Sequence, residues 1–301
     1  MSDQVWVVGE ALIDLIPHGS EHVAVVGGGP ANTAKALAKL GVKTYFIDGV
    51  SEDEYGQMAK AELLSGNVLL DYVQFSNKPT CTAKVTLSKF GSASYEFVIE
   101  GTATFDFSDQ WLPDPQRLKP SLLHIGTLAT VIEPGASVLF EWAQSIADVV
   151  PIVFDPNIRP AVLSDRDEYV KKVEKWVEIS SAVKVSDEDL IWLYPGKSID
   201  EIVGKWLEGS VQIVVVTLGS KGITAYLENE ETSVDSVKVV VVDTVGAGDT
   251  VGAVLVEAIV NNGLDQLNGE VLKTMLNRAA KAAAITVSRS GANPPTLKEI
   301  E

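Results

Sequence analysis

Six short runs dominated by aliphatic and β-branched residues punctuate the chain: Val5 to Gly9, Thr44 to Gly49, Ser121 to Gly126, Pro151 to Asp155, Ala182 to Ser186 and Val211 to Leu218. Between them lie stretches whose apolar residues recur at helical spacing, namely Pro30 to Leu40, Tyr55 to Ser65, Gly135 to Ala147, Arg166 to Ile179 and Ile199 to Leu207. This alternation predicts an α/β fold with a parallel sheet and crossover helices. Strands that are apolar on consecutive positions need both faces covered. Gly41 and Gly66 each follow a helical pattern and are expected to cap it.

Two stretches break the rhythm. Ala11 to Val26 reads as two short strands around His18 and Gly19, and Thr80 to Ile99 alternates apolar and polar residues across a Gly91 to Ala93 turn. These four strands are expected to form a small separate sheet, a lid built from segments near 11–26 and 80–100. A hairpin from Ile223 to Val242 and two long helical patterns, Thr250 to Asn262 and Val271 to Val287, close the chain. No linker divides it, so residues 1–301 are read as a single domain large enough to bury a substantial core.

Charge narrows the partners. The 41 acidic and 24 basic residues leave a formal charge of −17 without any Lys/Arg run, which disfavours nucleic acid and anionic membranes. A small anion is not excluded, because backbone N–H groups and a metal ion can hold a phosphate in an acidic chain. Cys81 is the sole cysteine, so an intrachain disulfide is impossible. With no basic leader before the first strand and no apolar run near the roughly 18 residues of a membrane helix, a cytoplasmic location is expected. His18, His22 and His124 share no metal-ligand spacing and are read as structural or surface residues.

The most informative stretch is Asp243-Thr244-Val245-Gly246-Ala247-Gly248-Asp249-Thr250, placed between an expected strand, Val239 to Val242, and a helix. Glycines there let the backbone turn tightly and leave N–H groups free at a helix N-terminus, an anion hole in outline. Asp249 falls beside it, where a carboxylate can take a proton from an attacking hydroxyl. A plain strand-to-helix turn with a capping Asp remains an alternative. Neither a Gly-x-x-x-x-Gly-Lys-Ser/Thr sequence nor a Gly-x-Gly-x-x-Gly fingerprint occurs in the chain. A second cluster, Gly27-Gly28-Gly29-Pro30-Ala31-Asn32, permits close approach of a ligand to backbone, and Asn32 offers a donor and an acceptor to hydroxyl groups. A simple loop with a capping Asn stays open as the other reading.

Gly27 to Gly41 together with Asp243 to Ala253 resemble the two signatures of the PfkB family of carbohydrate and nucleoside kinases. The resemblance extends to Gly9 to Asp14, to Val216 to Gly222 and to Arg289 to Pro294, and so covers nearly the whole chain. It implies the ribokinase-like three-layer fold, a mostly parallel sheet flanked by helices with a small β lid. It also implies transfer of the ATP γ-phosphoryl group to a sugar hydroxyl, with Asp249 as base and Gly246, Ala247 and Gly248 as the anion hole. By the same resemblance Asp14, Gly28, Gly29 and Asn32 bind sugar hydroxyls. Asp155-Pro156-Asn157-Ile158-Arg159 resembles a segment of the fructokinase-like branch, in which Arg159 would reach substrate or phosphate.

The family's Asn-x-x-Glu motif aligns onto Ser186-Asp187-Glu188-Asp189, a double departure that leaves Asp189 as an indirect, water-mediated magnesium contact. Lys184, Thr217, Gly219, Gly222, Ala280 and Gly291 are placed on the nucleotide side, and Asp243 with the Gly291 loop on a monovalent-cation site suited to potassium. Fructose phosphorylated at its 6-hydroxyl is the expected reaction. Ribokinase, a nucleoside kinase and 2-keto-3-deoxygluconate kinase are the rivals, the last disfavoured by the acidic lid segment Tyr95 to Glu100. From another class, a non-catalytic sugar- or nucleotide-binding regulator on the same fold is the alternative. Apolar positions Ala83, Val85 and Leu87 on the lid lead to the expectation of a homodimer through it.

Overall fold

The computed structural model describes residues 4–19, 21–87 and 93–301. In chain order its strands are β1 (Gln4–Val8), β2 (Leu12–His18), β3 (Glu21–Gly27), β4 (Lys43–Ile47), β5 (Gly49–Ser51), β6 (Gln74–Ser76), β7 (Thr82–Leu87), β8 (Ala93–Val98), β9 (Leu122–Gly126), β10 (Ile152–Asp155), β11 (Ala182–Ser186), β12 (Ile213–Thr217), β13 (Ile223–Leu227) and β14 (Glu230–Val234). The helices are α1 (Gly29–Lys39), α2 (Glu54–Ser65), α3 (Pro115–Leu118), α4 (Gly135–Gln144), α5 (Arg166–Glu178), α6 (Asp187–Leu193), α7 (Ile199–Leu207), α8 (Ala247–Asn262), α9 (Gly269–Val287) and α10 (Leu297–Ile300). Eight strands make the main sheet in the order β14-β13-β12-β11-β10-β9-β1-β4. All its pairs are parallel except β12-β13 and β13-β14.

Side-chain alternation along the buried strands divides the core in two. Trp6, Val8, Leu123, Phe154 and Val183 meet α4 to α7 on one face. Val5, Val7, Leu122, Val153 and Ala182 meet α1, α8 and α9 on the other. This is why the strands lack a polar face. Side-chain caps set several helix starts: Asp53 accepts from Gly56 N–H at 2.8 Å, Asp165 from Glu168 N–H at 3.0 Å, and Ser198 with Glu201 closes a capping box.

The two rhythm-breaking segments pair as a separate four-stranded sheet in the order β3-β2-β7-β8. The expected turn at Gly91 and Ser92 lies outside the described residues. Ala83 and Val85 are buried, Ala83 in the core beneath the sheet, while Ile16 and its cross-strand partner Val23 on the same lid face stay exposed, so that face is only partly covered. Ile16, Val23 and Val98 are the exposed large apolar side chains of this sheet among the described residues.

Four other expectations need correction. Val239 to Val242 is no strand but an irregular, exposed segment, Val240 reaching 82% exposure. The hairpin consequently ends at Val234, and α8 begins at Ala247 rather than Thr250. The run expected as one strand from Thr44 divides at Asp48 into β4 and β5. Gly66 does cap α2 as expected, its N–H returning to the Glu62 carbonyl at 3.1 Å with an ordinary φ of −80°, and Asn67, with φ of 63°, makes the left-handed turn beyond it. Asn tolerates that region because its short amide can bond locally. Gly41, with φ of 85°, follows α1 as expected.

Candidate active site

Open α/β sheets bind ligands at the carboxyl ends of their strands, where the order of connection reverses. Here β1 runs to β4 on one side and borders β9 on the other. At that point two helix N-termini meet, those of α1 and α8. Gly246 caps α8 with φ of 79°, a left-handed turn that strains any residue with a Cβ. Thr250 N–H returns to the Gly246 carbonyl at 2.9 Å and Ala247 N–H to Thr244 at 3.4 Å. The amides of Gly248 and Asp249 have no backbone acceptor among the described residues and stay available to an anion.

Asp249 sits in this first turn and is buried. Its Oδ2 accepts from Asn32 Nδ2 at 2.9 Å, and Thr33 Oγ1 reaches its carbonyl at 3.4 Å, which joins α1 to α8. Gly29 lies against the same carboxylate: a Cβ there would stand 2.9 Å from both Asn157 Nδ2 and Thr127 Cγ2, and 3.4 Å from Asp249 Oδ1. Gly28 is backed by the Glu10 carbonyl. Burial pushes the Asp249 carboxyl up to about 6; Lys184 opposes that, Asp155 adds to it, and Asn32 and Arg159 oppose it.

Asp14 lies on β2 of the lid, and burial raises its carboxyl to about 6 against the pull of Arg159. Arg159 is exposed and donates to the carbonyls of Asn157 and Ile158 at 3.2 and 3.0 Å. Its charge is felt by Glu10, Asp14, Asp189 and Asp249, so the guanidinium lies among the acids of one crevice. Asp189 Oδ1 accepts from Ile158 N–H at 3.1 Å, tying α6 to the Arg159 loop, and burial raises its carboxyl. Ser186 caps α6, its Oγ accepting from Asp189 N–H at 3.0 Å.

Lys184 is buried on β11 and donates to Asp155 Oδ2 at 2.9 Å. Burial works against its charge, but Asp155 and Asp249 hold it above the ordinary lysine range. Thr217 pairs with Ser186 across the strands, and Gly219 to Lys221 form one 3-10 turn beyond it. Gly222, with φ of 111°, lies against β14, where a Cβ would come 2.0 Å from the Val234 carbonyl. Ala280 is packed in the core between α9 and its neighbours. Asp243 joins two segments: its Oδ2 accepts from Gly291 N–H at 2.9 Å and its Oδ1 from Val245 N–H at 3.0 Å. Among the described residues no cluster of three or more His, Cys, Asp or Glu is arranged to hold a metal directly, and no helix is long and apolar enough to cross a membrane.

Residues 2–299 match the pfkB family carbohydrate kinases. The chain belongs to that family. A fructokinase from Rhizobium leguminosarum bv. trifolii is 34% identical over 250 residues, covering 81% of this chain and 76% of that protein. The structure of fructokinase with bound ATP from Xylella fastidiosa superposes with a TM-score of 0.91 at 23% identity, over 100% of this chain and 97% of that one. A double mutant of fructokinase from Vibrio cholerae O395, in its fructose-, ADP- and potassium-bound form, superposes with a TM-score of 0.84 at 27% identity over 96% and 93% of the two chains. The kinase therefore has the ribokinase-like architecture its sequence resembles, and it acts on sugars.

Around the crevice the structure buries polar residues that the sequence did not single out for the site. Glu10 is buried, with Oε1 accepting from Thr127 Oγ1 and Oε2 from Ala129 N–H at 3.2 Å. Burial brings its carboxyl to about 7 against those bonds. Asp48 accepts from Ala11 N–H at 2.9 Å and Gly49 N–H at 2.8 Å, and burial lifts it well above the usual carboxylate range. His124, read as structural or surface, is buried in β9 with both ring nitrogens unpartnered, and burial lowers its pKa to about 3.

Proposed function

We propose that this kinase transfers the γ-phosphoryl group of ATP to the 6-hydroxyl of fructose, with Asp249 as the general base. The observation that carries this reading is the buried Asp249 carboxylate, held by Asn32 of α1 at 2.9 Å in the first turn of α8. One helix start presents groups for a sugar, the other presents amides for a phosphate, and the base lies between them. The relatives named fructokinase support the choice of sugar.

The residues present fit a nucleotide with a hydrated cation. Asn32 Oδ1 and Asp155 Oδ1 are buried without a partner among the described residues, as groups awaiting ligand hydroxyls or water are. The free amides of Gly248 and Asp249, with Gly246 and Ala247 shaping the turn, would hold the terminal phosphate. Thr217, Gly219 and Gly222 would flank the remaining phosphates. The exposed Val239 to Val242 run, tied to α9 by Val242 N–H to Val287 O at 2.8 Å, offers an apolar surface for the base beside Gly291. Asp189 would steady magnesium through water, and Asp243 with the Gly291 loop would border potassium. When bound, ATP with its magnesium supplies the phosphoryl group and neutralises its charge.

The protein's own part is to position and to move one proton. Asp14, Asn32 and Arg159 orient the sugar; Asp249 Oδ1 accepts the hydroxyl proton while the α8 amides face the charge that develops on phosphorus oxygens. A lid-mediated homodimer, supported by Ile16 at 42% and Val23 at 49% exposure on paired strands, and a cytoplasmic setting complete the proposal. Coupled ADP release with fructose, mannose, glucose, ribose, 2-keto-3-deoxygluconate and adenosine tests it. Turnover fastest on fructose is expected. Silence on every acceptor while sugar or ATP binding persists would favour the non-catalytic regulator.

A further inference from the structure

A lysine, an aspartate and a histidine occupy the sheet face that α8 covers. His124, Asp155 and Lys184 lie on the adjacent strands β9, β10 and β11. Their neighbours on that face, Leu122, Val153 and Ala182, are wholly apolar and buried. A buried ion pair is rarely retained for stability, since apolar residues of similar volume serve as well or better. Its place in the molecule is the informative fact. Lys184 Nζ lies 2.8 Å from where a Cβ on Gly248 would stand, so the missing side chain at 248 is what admits the ammonium to the first turn of α8. Asp155 holds it there at 2.9 Å, and the 6% and 3% exposure of the two side chains shows that water does not screen them.

We propose that Lys184, anchored by Asp155, is a positioning residue that sets the charge of the catalytic carboxylate from behind the anion hole. The proposal rests on the reading of Asp249 as the base and deepens it, because it assigns to the β10 and β11 side chains control over when that base is ionised. The charged groups facing Asp249 are Lys184 from β11, Asp155 from β10 and Arg159 from the loop after β10, with Asn32 of α1 as its hydrogen-bond donor. Those facing Lys184 are Asp155, Asp249 and Asp189 of α6, with His124 of β9 packed near it. His124 is held neutral, so it adds no competing charge and leaves the ammonium as the one cation of the three side chains on this sheet face.

The signs follow from Coulomb's law. Lys184 favours the ionised form of Asp249 and Asp155 disfavours it. Lys184→Met should therefore move the Asp249 titration to higher pH, and Asp155→Asn should move it to lower pH. A structural pair would do neither; its two variants would lose thermal stability together and leave the titration where it was. Carboxyl-carbon NMR of the full-length protein, with the Asp249 resonance identified by its loss in Asp249→Asn, reads this without any substrate. Shifts of opposite sign support the proposal, and an unmoved Asp249 in both folded variants, or shifts of the same sign, overturn it. The acidic limb of kcat/KM should track the NMR values, with kcat of Lys184→Met falling about tenfold or more while the KM for ATP changes little, a factor that corresponds to about 1.4 kcal/mol. If the NMR shifts appear but the wild type phosphorylates no sugar, the electrostatic device stands and only the kinase reading fails.

Discussion

At Gly29 a methyl group would press on Asn157 and Thr127 and touch the Asp249 carboxylate. Gly29→Ala should raise the KM for sugar by about tenfold, roughly 1.4 kcal/mol, with little change in the thermal midpoint, because the crowding falls on ligand-facing groups rather than on the core. Steady-state kinetics beside thermal unfolding checks this. Arg159→Lys should also weaken sugar binding although it keeps the charge, since a lysine lacks the planar fork that reaches two carbonyls and a ligand together. An unchanged KM in both variants would remove the loops after β3 and β10 from the site. Asp249, Asn32 and Gly29 were legible in the sequence because glycine spacing reports a local backbone demand. The buried contacts of Glu10, Asp48 and Asp155 were not, since they are made with partners 117, 37 and 29 residues away. The one available signal was a charge or histidine inside a buried run, as at Lys184 and His124.

Element boundaries were readable where capping chemistry marks them, and α7 spans the same residues in sequence and structure because Ser198 and Glu201 close its first turn. The Val239 to Val242 run shows the limit of that reading: β-branched composition predicts a strand, but no strand among the described residues pairs with it, and its backbone instead meets the end of α9. The lid was legible as four strands, whereas the burial of Ala83 and Val85 was not, because alternation gives two faces without saying which one meets the body. The proposed association would run through the exposed cross-strand pair Ile16 and Val23. Ile16→Lys should shift the mass measured by light scattering from dimer toward monomer at micromolar concentration. A wild-type protein that is already monomeric would refute the association and leave the chemistry untouched.

For the molecule as a whole, two sets of carboxylates titrate in opposite senses. Glu10, Asp14 and Asp249 have folded pKa values of about 7, 6 and 6, above the unfolded value, so the stability they give is full at low pH and is lost as pH rises through those values. Glu299, lowered to about 2 by its bonds to Thr296 and Arg289, behaves in the opposite way, losing its contribution as pH falls through that value. Net charge of −17 adds repulsion toward neutrality. The urea midpoint should therefore peak near about pH 5 and decline toward pH 8; a midpoint that climbs steadily to pH 8 would show that the buried acids carry no such penalty. The central claim, however, is that Asp249 performs proton transfer in a fructose kinase, and one comparison tests it most directly. Turnover of ATP and fructose, with the product identified by phosphorus NMR, should fall by at least about a hundredfold in Asp249→Asn, while calorimetric affinity for fructose and ATP stays within about threefold. An Asp249→Asn variant that phosphorylates fructose at the wild-type rate would contradict the account.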